Sequence, residues 1–112
     1  MPLELQVERD AGGWRRARVP RHLLALSEFL EADMQGSTHW CDEVLRHVEA
    51  VGSSSEERWE RSGNACTLMV TSEQAHIEHD YLPGVSCVLP LSEFREAVKR
   101  WREFVQNETH AA

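Results

Sequence analysis

The change of hydrophobic period near residue 90 constrains this chain more than any other feature. Cys66, Leu68 and Val70 alternate with their neighbours, and Ala75, Ile77 and His79 alternate with His76, Glu78 and Asp80. A two-residue period marks half-buried strands, so residues 64–80 read as two short strands. Ser72-Glu73-Gln74 separates them and Pro83-Gly84 follows, both turn signals. Val85, Cys87 and Leu89 then alternate through a third strand, residues 85–90. Beyond Pro90 the spacing changes. Phe94, Val98, Trp101 and Val105 recur at steps of 4, 3 and 4, flanked by Ala97 and Phe104. Steps of three and four put them on one face of a helix, read over residues 91–108. Ser92 is the expected cap, with Glu93 and Glu96 near the positive end of the helix dipole. Together these segments describe a small antiparallel sheet closed by a C-terminal helix.

The N-terminal half completes the layout. Leu3, Leu5 and Val7 alternate with polar residues, Asp10-Ala11-Gly12-Gly13 turns, and residues 14–19 return as a hairpin partner. Pro20 ends that strand and suits a helix entrance. Residues 22–34 read as a helix with Leu23, Leu26 and Leu30 on one stripe, widened by Leu24 and Phe29, and Gly36 as its stop. Ser37 or Thr38 caps a second helix, where Trp40, Val44, Val48 and Val51 form the apolar face and Gly52 ends it. Residues 56–61 begin as loop and turn to strand around Trp59, before the turn Ser62-Gly63-Asn64. The expected fold is α+β: a small antiparallel sheet packed against two central helices and an amphipathic C-terminal helix, in the order β-β-α-α-β-β-β-α. The 112 residues fit one domain, 1–112, and contain no repeat or linker.

Charge narrows the partners. The net charge is −7, and it is uneven. Residues 1–26 carry five Arg against three acids, a net +2, while residues 27–80 carry twelve acids against three Arg, a net −9. Residues 81–112 balance. An acidic surface repels nucleic acid and anionic membrane and favours a basic protein partner. Cys41, Cys66 and Cys87 are odd in number and form no C-x-x-C pair. No cleavable leader is evident, and no apolar run approaches the ~18 residues of a membrane span. The expectation is a reduced cytoplasmic protein with buried thiols, a monomer or weak dimer. Trp14, Trp40, Trp59 and Trp101 are many for this length, so some should anchor the core and an exposed one is a candidate contact.

Residues with chemical potential do not assemble into a motif. His76 and His79 are three apart, which converges on a helix but diverges on a strand. His39 and Cys41 point apart around a helix, and His47 is two turns from His39. Cys41 near a helix N-terminus is open to a lowered pKa but has no placed base. No Gly-rich phosphate loop, G-x-S-x-G or H-E-x-x-H occurs. No catalytic residue, metal ligand set or cofactor is therefore expected. What remains is a surface: Glu73, His76, Glu78, Asp80 and Tyr81 on or near one strand, with Glu56, Glu57 and Glu60 before its neighbour. If these strands pair, the eight residues form an acidic patch for a basic protein.

The run from Arg58 through Trp59, Gly63 and Asn64 to Leu68, then Leu91-Ser-Glu-Phe94 and Trp101-Arg-Glu-Phe-Val105, resembles the YacL-like group of small bacterial proteins. The same outline is similar to one class of contact-dependent growth inhibition immunity proteins. The resemblance spans about residues 56–106, and the short connection 81–84 departs from the longer, more acidic YacL-like pattern. The immunity resemblance implies a cytoplasmic antidote that binds and blocks a toxin domain, often a nuclease. The YacL-like resemblance implies an uncharacterised bacterial housekeeping protein without enzymatic activity.

Overall fold

The structure, a computed structural model, describes residues 3–111, with side chains through Glu108. Met1, Pro2 and Ala112 of the expected 1–112 unit lie outside the described residues. The chain opens with a hairpin, β1 (Gln6–Arg9) against β2 (Arg15–Arg18). Asp10 closes its turn by accepting from the Gly12 and Trp14 N–H groups at 2.9 and 3.0 Å, and Gly13 takes φ 83°. The ladder stops at Gln6–Arg18 although alternation runs back to Leu3. Pro20 has no N–H to continue it, and Leu3 and Leu5 pack on the core instead.

A tight turn at Arg21–Leu23 leads into α1 (Leu24–Glu28), which continues as a wide π turn over Phe29–Met34. Leu23, Leu26, Phe29 and Leu30 are buried as the spacing predicts, but Leu24 is 44% exposed. Gln35, not Gly36, makes the abrupt stop, with φ 51°. The next helix, α2 (Thr38–Gly52), is capped by Ser37, whose hydroxyl accepts from Trp40 N–H at 3.0 Å. Its buried stripe is Cys41, Val44, Val48 and Val51. Trp40 is 41% exposed, so Cys41 holds the core position that the tryptophan was expected to fill. Cys41, Val44, Val48 and Val51 step by 3, 4 and 3, as regular a helical stripe as the expected one.

Four strands follow as an antiparallel meander: β3 (Arg58–Ser62), β4 (Cys66–Thr71), β5 (Gln74–His79) and β6 (Ser86–Pro90). The expected α+β order holds, and the segment around Trp59 joins it as a full edge strand beside the three clearly alternating ones. The hairpin stays a separate two-stranded sheet. Helix α3 (Leu91–Ala111) starts one residue before the expected Ser92 cap, an ordinary boundary difference.

The helices cover one face of the main sheet. Leu68, Val70, Ala75, Ile77, Cys87 and Leu89 point into the core, where they meet the buried stripes of all three helices. Phe94, Ala97, Val98, Trp101 and Val105 of α3 are buried there. Phe29 and Phe94 rings sit 5.7 Å apart, and Trp101 Nε1–H donates to the Gln35 carbonyl at 2.7 Å. Burying each large side chain contributes about 2 kcal/mol. Trp101→Ala removes the largest of them and orphans the Gln35 carbonyl. We expect it to cost about 3–5 kcal/mol in a urea titration. A loss below about 1 kcal/mol contradicts this packing.

Candidate functional site

With the helices on one side, the other face of the main sheet carries no covering element among the described residues. Register places its outward side chains in rows. Glu60, Met69, His76 and Val88 form one row, and Ser62, Thr67, Glu78 and Ser86 the next. Asp80 continues the acidic side, its carboxylate accepting from the Thr67 hydroxyl at 2.7 Å. Glu60, Glu78, Asp80 and Val88 are exposed, while Met69 and His76 are half-buried at the centre. The result is a surface with a small apolar row that has Glu60 at one end and Glu78 and Asp80 along one side. Arg58 is its cation, already paired with Glu60 in the same strand.

The eight residues expected to form one patch do not all join it. Glu60, His76, Glu78 and Asp80 share the outer face, and Tyr81 is exposed just beyond β5. Glu57 is exposed immediately before β3. Glu56 turns toward α2, where its carboxylate lies 3.2 Å from His47 Nδ1. Glu73 sits in the β4–β5 turn, at the opposite end of β5 from Asp80, and its carbonyl accepts from Leu91 N–H. Sequence order makes all eight near neighbours. The meander spreads them over both ends of the sheet and, for Glu56, against the helix layer.

The histidines have separate environments. His76 faces outward and His79 inward, as strand geometry requires. The His79 side chain is 8% exposed, and its Nδ1 accepts from both Tyr81 and Leu82 N–H groups at 3.1 Å. Two donors at Nδ1 require a lone pair there, so the neutral ring holds its proton on Nε2, which lies 3.7 Å from Glu28. His79 thus shapes the turn that presents Tyr81. His47 stacks on Trp59 at 4.2 Å with the rings nearly parallel, and His39 meets Trp40 edge-on. Among the described residues, no group of three or more His, Cys, Asp or Glu side chains is placed to hold a metal ion. None of their helices is long and apolar enough to cross a membrane.

The three cysteines are free and buried. Burial pushes the Cys66 thiol up to about 12 and Cys41 up to about 11, and it raises Cys87 as well. The helix N-terminus therefore does not activate Cys41. Desolvation of the thiolate, with Asp42 adjacent, outweighs the lowering by Arg102.

Several structural carboxylates were not singled out by sequence. Asp33 is buried and accepts from the Ala65 and Cys66 N–H groups at 2.7 and 3.1 Å, tying the π turn to the start of β4. A Cβ on Gly63 would lie 2.5 Å from its Oδ2, so that glycine is required by close approach. Asp33 lies three residues after Leu30 on the apolar stripe. A lone carboxylate there is the signal that would have found it. Glu31 accepts from Ala17 N–H at 2.8 Å and pairs with Arg16, while Glu108 pairs with Arg9 and Arg15. These contacts dock the hairpin and neutralise its arginines.

A small α+β protein with a sheet clad on one side and an acidic face on the other is the class this geometry defines. The chain belongs to the Uncharacterised protein family (UPF0231), whose model matches residues 3–86. That family is the YacL-like group of the resemblance. The match runs from the hairpin to the first residue of β6, so the Leu91–Phe94 and Trp101–Val105 similarities lie outside it. No curated protein and no solved structure matches the chain, and no comparison links it to the immunity proteins.

The raised thiols set a reactivity. At pH 8 we expect native protein to react slowly with an aromatic disulfide reagent, with little gain on moving to pH 9. All three cysteines should react at once in denaturant. One fast stoichiometric thiol in the native protein contradicts the burial of these groups.

Proposed function

We propose that this chain is a binding protein without enzymatic activity, and that the open outer face of its main sheet receives a basic protein partner. One observation carries this reading: Glu60 ends the row of Met69, His76 and Val88, and Glu78 and Asp80 flank it on one side, on a face that no helix covers among the described residues. Carboxylates beside a small apolar row suit lysine- or arginine-rich surfaces, which they attract at long range and orient at contact. The charge of the whole chain supports the same partner. Arg9, Arg15, Arg16 and Arg18 of the hairpin are each paired within the chain, so the acidic excess is not offset at the surface. Three buried thiols suit a reducing compartment such as the bacterial cytoplasm.

The finer version, an immunity protein that neutralises a toxin domain, draws on this charge and on the absence of catalytic motifs in the sequence. Membership of the uncharacterised family favours the plainer version, a YacL-like housekeeping protein that acts by binding.

A synthetic arginine-rich peptide, titrated while amide shifts are followed, tests the face. We expect shifts at His76, Glu78 and Val88, and affinity that falls as salt rises. Glu78→Lys with Asp80→Lys should weaken binding about tenfold or more. Unchanged affinity in that double variant, or shifts confined to the exposed side of α3, sinks the assignment.

A further inference from the structure

One edge of the main sheet is open, and its residues are complementary to themselves. In the strand order, β3 pairs only with β4. Gly63 N–H donates to the Cys66 carbonyl at 2.9 Å, which makes this a bonded pair. Bonded and non-bonded pairs alternate along an antiparallel ladder. Arg61–Leu68 and Trp59–Val70 are then bonded pairs, and the backbone groups of Arg58, Glu60 and Ser62 point away from β4. Among the described residues those outward groups meet no other backbone.

We propose that β3 pairs antiparallel with β3 of a second copy of this chain, about a twofold axis at Trp59, joining the two main sheets into one. A twofold axis normal to the sheet pairs residues that share a face, and outward backbone groups must meet outward ones. A centre on any of the five strand residues satisfies both conditions; one on Arg61 sets Arg61 against itself, and one on Ser62 leaves Ser62 as the single strand residue paired within the strand. Centred on Glu60, the register sets Glu60 against itself. Centred on Arg58, it sets Arg58 against itself and Glu56 against Glu60. Centred on Trp59, it sets Arg58 against Glu60 of the second copy and Glu57 against its Arg61. That register brings opposite charges together at Arg58, Glu60, Glu57 and Arg61, and symmetry repeats both pairs.

One further observation fits it. Trp59 becomes a non-bonded pair with its own copy, the closer kind of cross-strand contact. Each ring is already held flat against His47 at 4.2 Å, so the two aromatics meet preordered. Charges on an edge usually keep strands apart. Here like charges penalise the registers centred on Arg58, Glu60 and Arg61, and opposite charges favour the one centred on Trp59.

The test is sedimentation equilibrium of the full chain from about 1 μM to 1 mM, with amide exchange measured at both ends of that range. A concentration-dependent dimer is expected, with the Arg58 and Glu60 amides slowing as it forms and the Trp59 amide unchanged. Glu60→Arg should raise the dimer Kd about tenfold or more. The swap R58E with E60R should restore it to within about threefold, because both pairs regain opposite charge. Both residues are exposed, so a circular dichroism spectrum separates lost pairing from lost fold. A monomer at 1 mM overturns the proposal. So does a dimer indifferent to Glu60→Arg, or one that Glu60→Gln tightens, which would place the axis at Glu60.

Discussion

Burial of Trp101 is the interaction on which the rest of the structure depends. Its ring is fully enclosed, and its N–H is satisfied by the Gln35 carbonyl at 2.7 Å. That bond reaches from the middle of α3 to the stop between α1 and α2, at a residue held at φ 51°. A buried indole without an acceptor would be costly. The turn between the inner helices and the packing of the last helix are therefore one solution. Helix α3 meets α2, β5 and β6, and the core lies between it and the sheet's inner face. Among the described residues that one layer is the sheet's only cover, and its other face stays open.

Charge is arranged around that frame. The basic hairpin is docked by acids from the helices: Glu31 holds Arg16 and the Ala17 N–H, and Glu108 holds Arg9 and Arg15. Docking uses the arginines that would have offset the acidic middle of the chain. Asp10 is part of this network. The Arg16 guanidinium, with the Trp14 and Gly12 N–H groups, holds its carboxyl below the usual range. The open face thus keeps Glu78 and Asp80 as its dominant charges. Structural ties and surface potential follow from the same ion pairs.

Regular patterns were legible in the sequence because each strand buries one face and each helix one stripe. Cys66, Leu68 and Val70 faced inward on alternation alone, as did Phe94, Val98, Trp101 and Val105 on helical spacing. Departures came where tertiary contact overrides period. Trp40 gives its core position to Cys41 and receives the Arg61 guanidinium over its ring at 5.2 Å. The π turn after Glu28 shifts the helical phase and carries Asp33 inward to the β4 backbone. No local propensity announces such a shift. The acidic patch was half legible. Parity placed His76, Glu78 and Asp80 together, but nothing in sequence order says that Glu56 turns to His47 or that Glu73 lies at the far end.

The functional account rests on a sheet clad on one face only, in a chain that belongs to an uncharacterised family. The most direct measurement is paramagnetic relaxation of side-chain signals by a neutral gadolinium chelate in solution. The account requires strong broadening of Val88, partial broadening of the His76 ring and of Met69, and sheltered Leu68, Ile77 and Leu89. Equal shelter of Val88 and Ile77 would mean that the outer face is covered, and would contradict it.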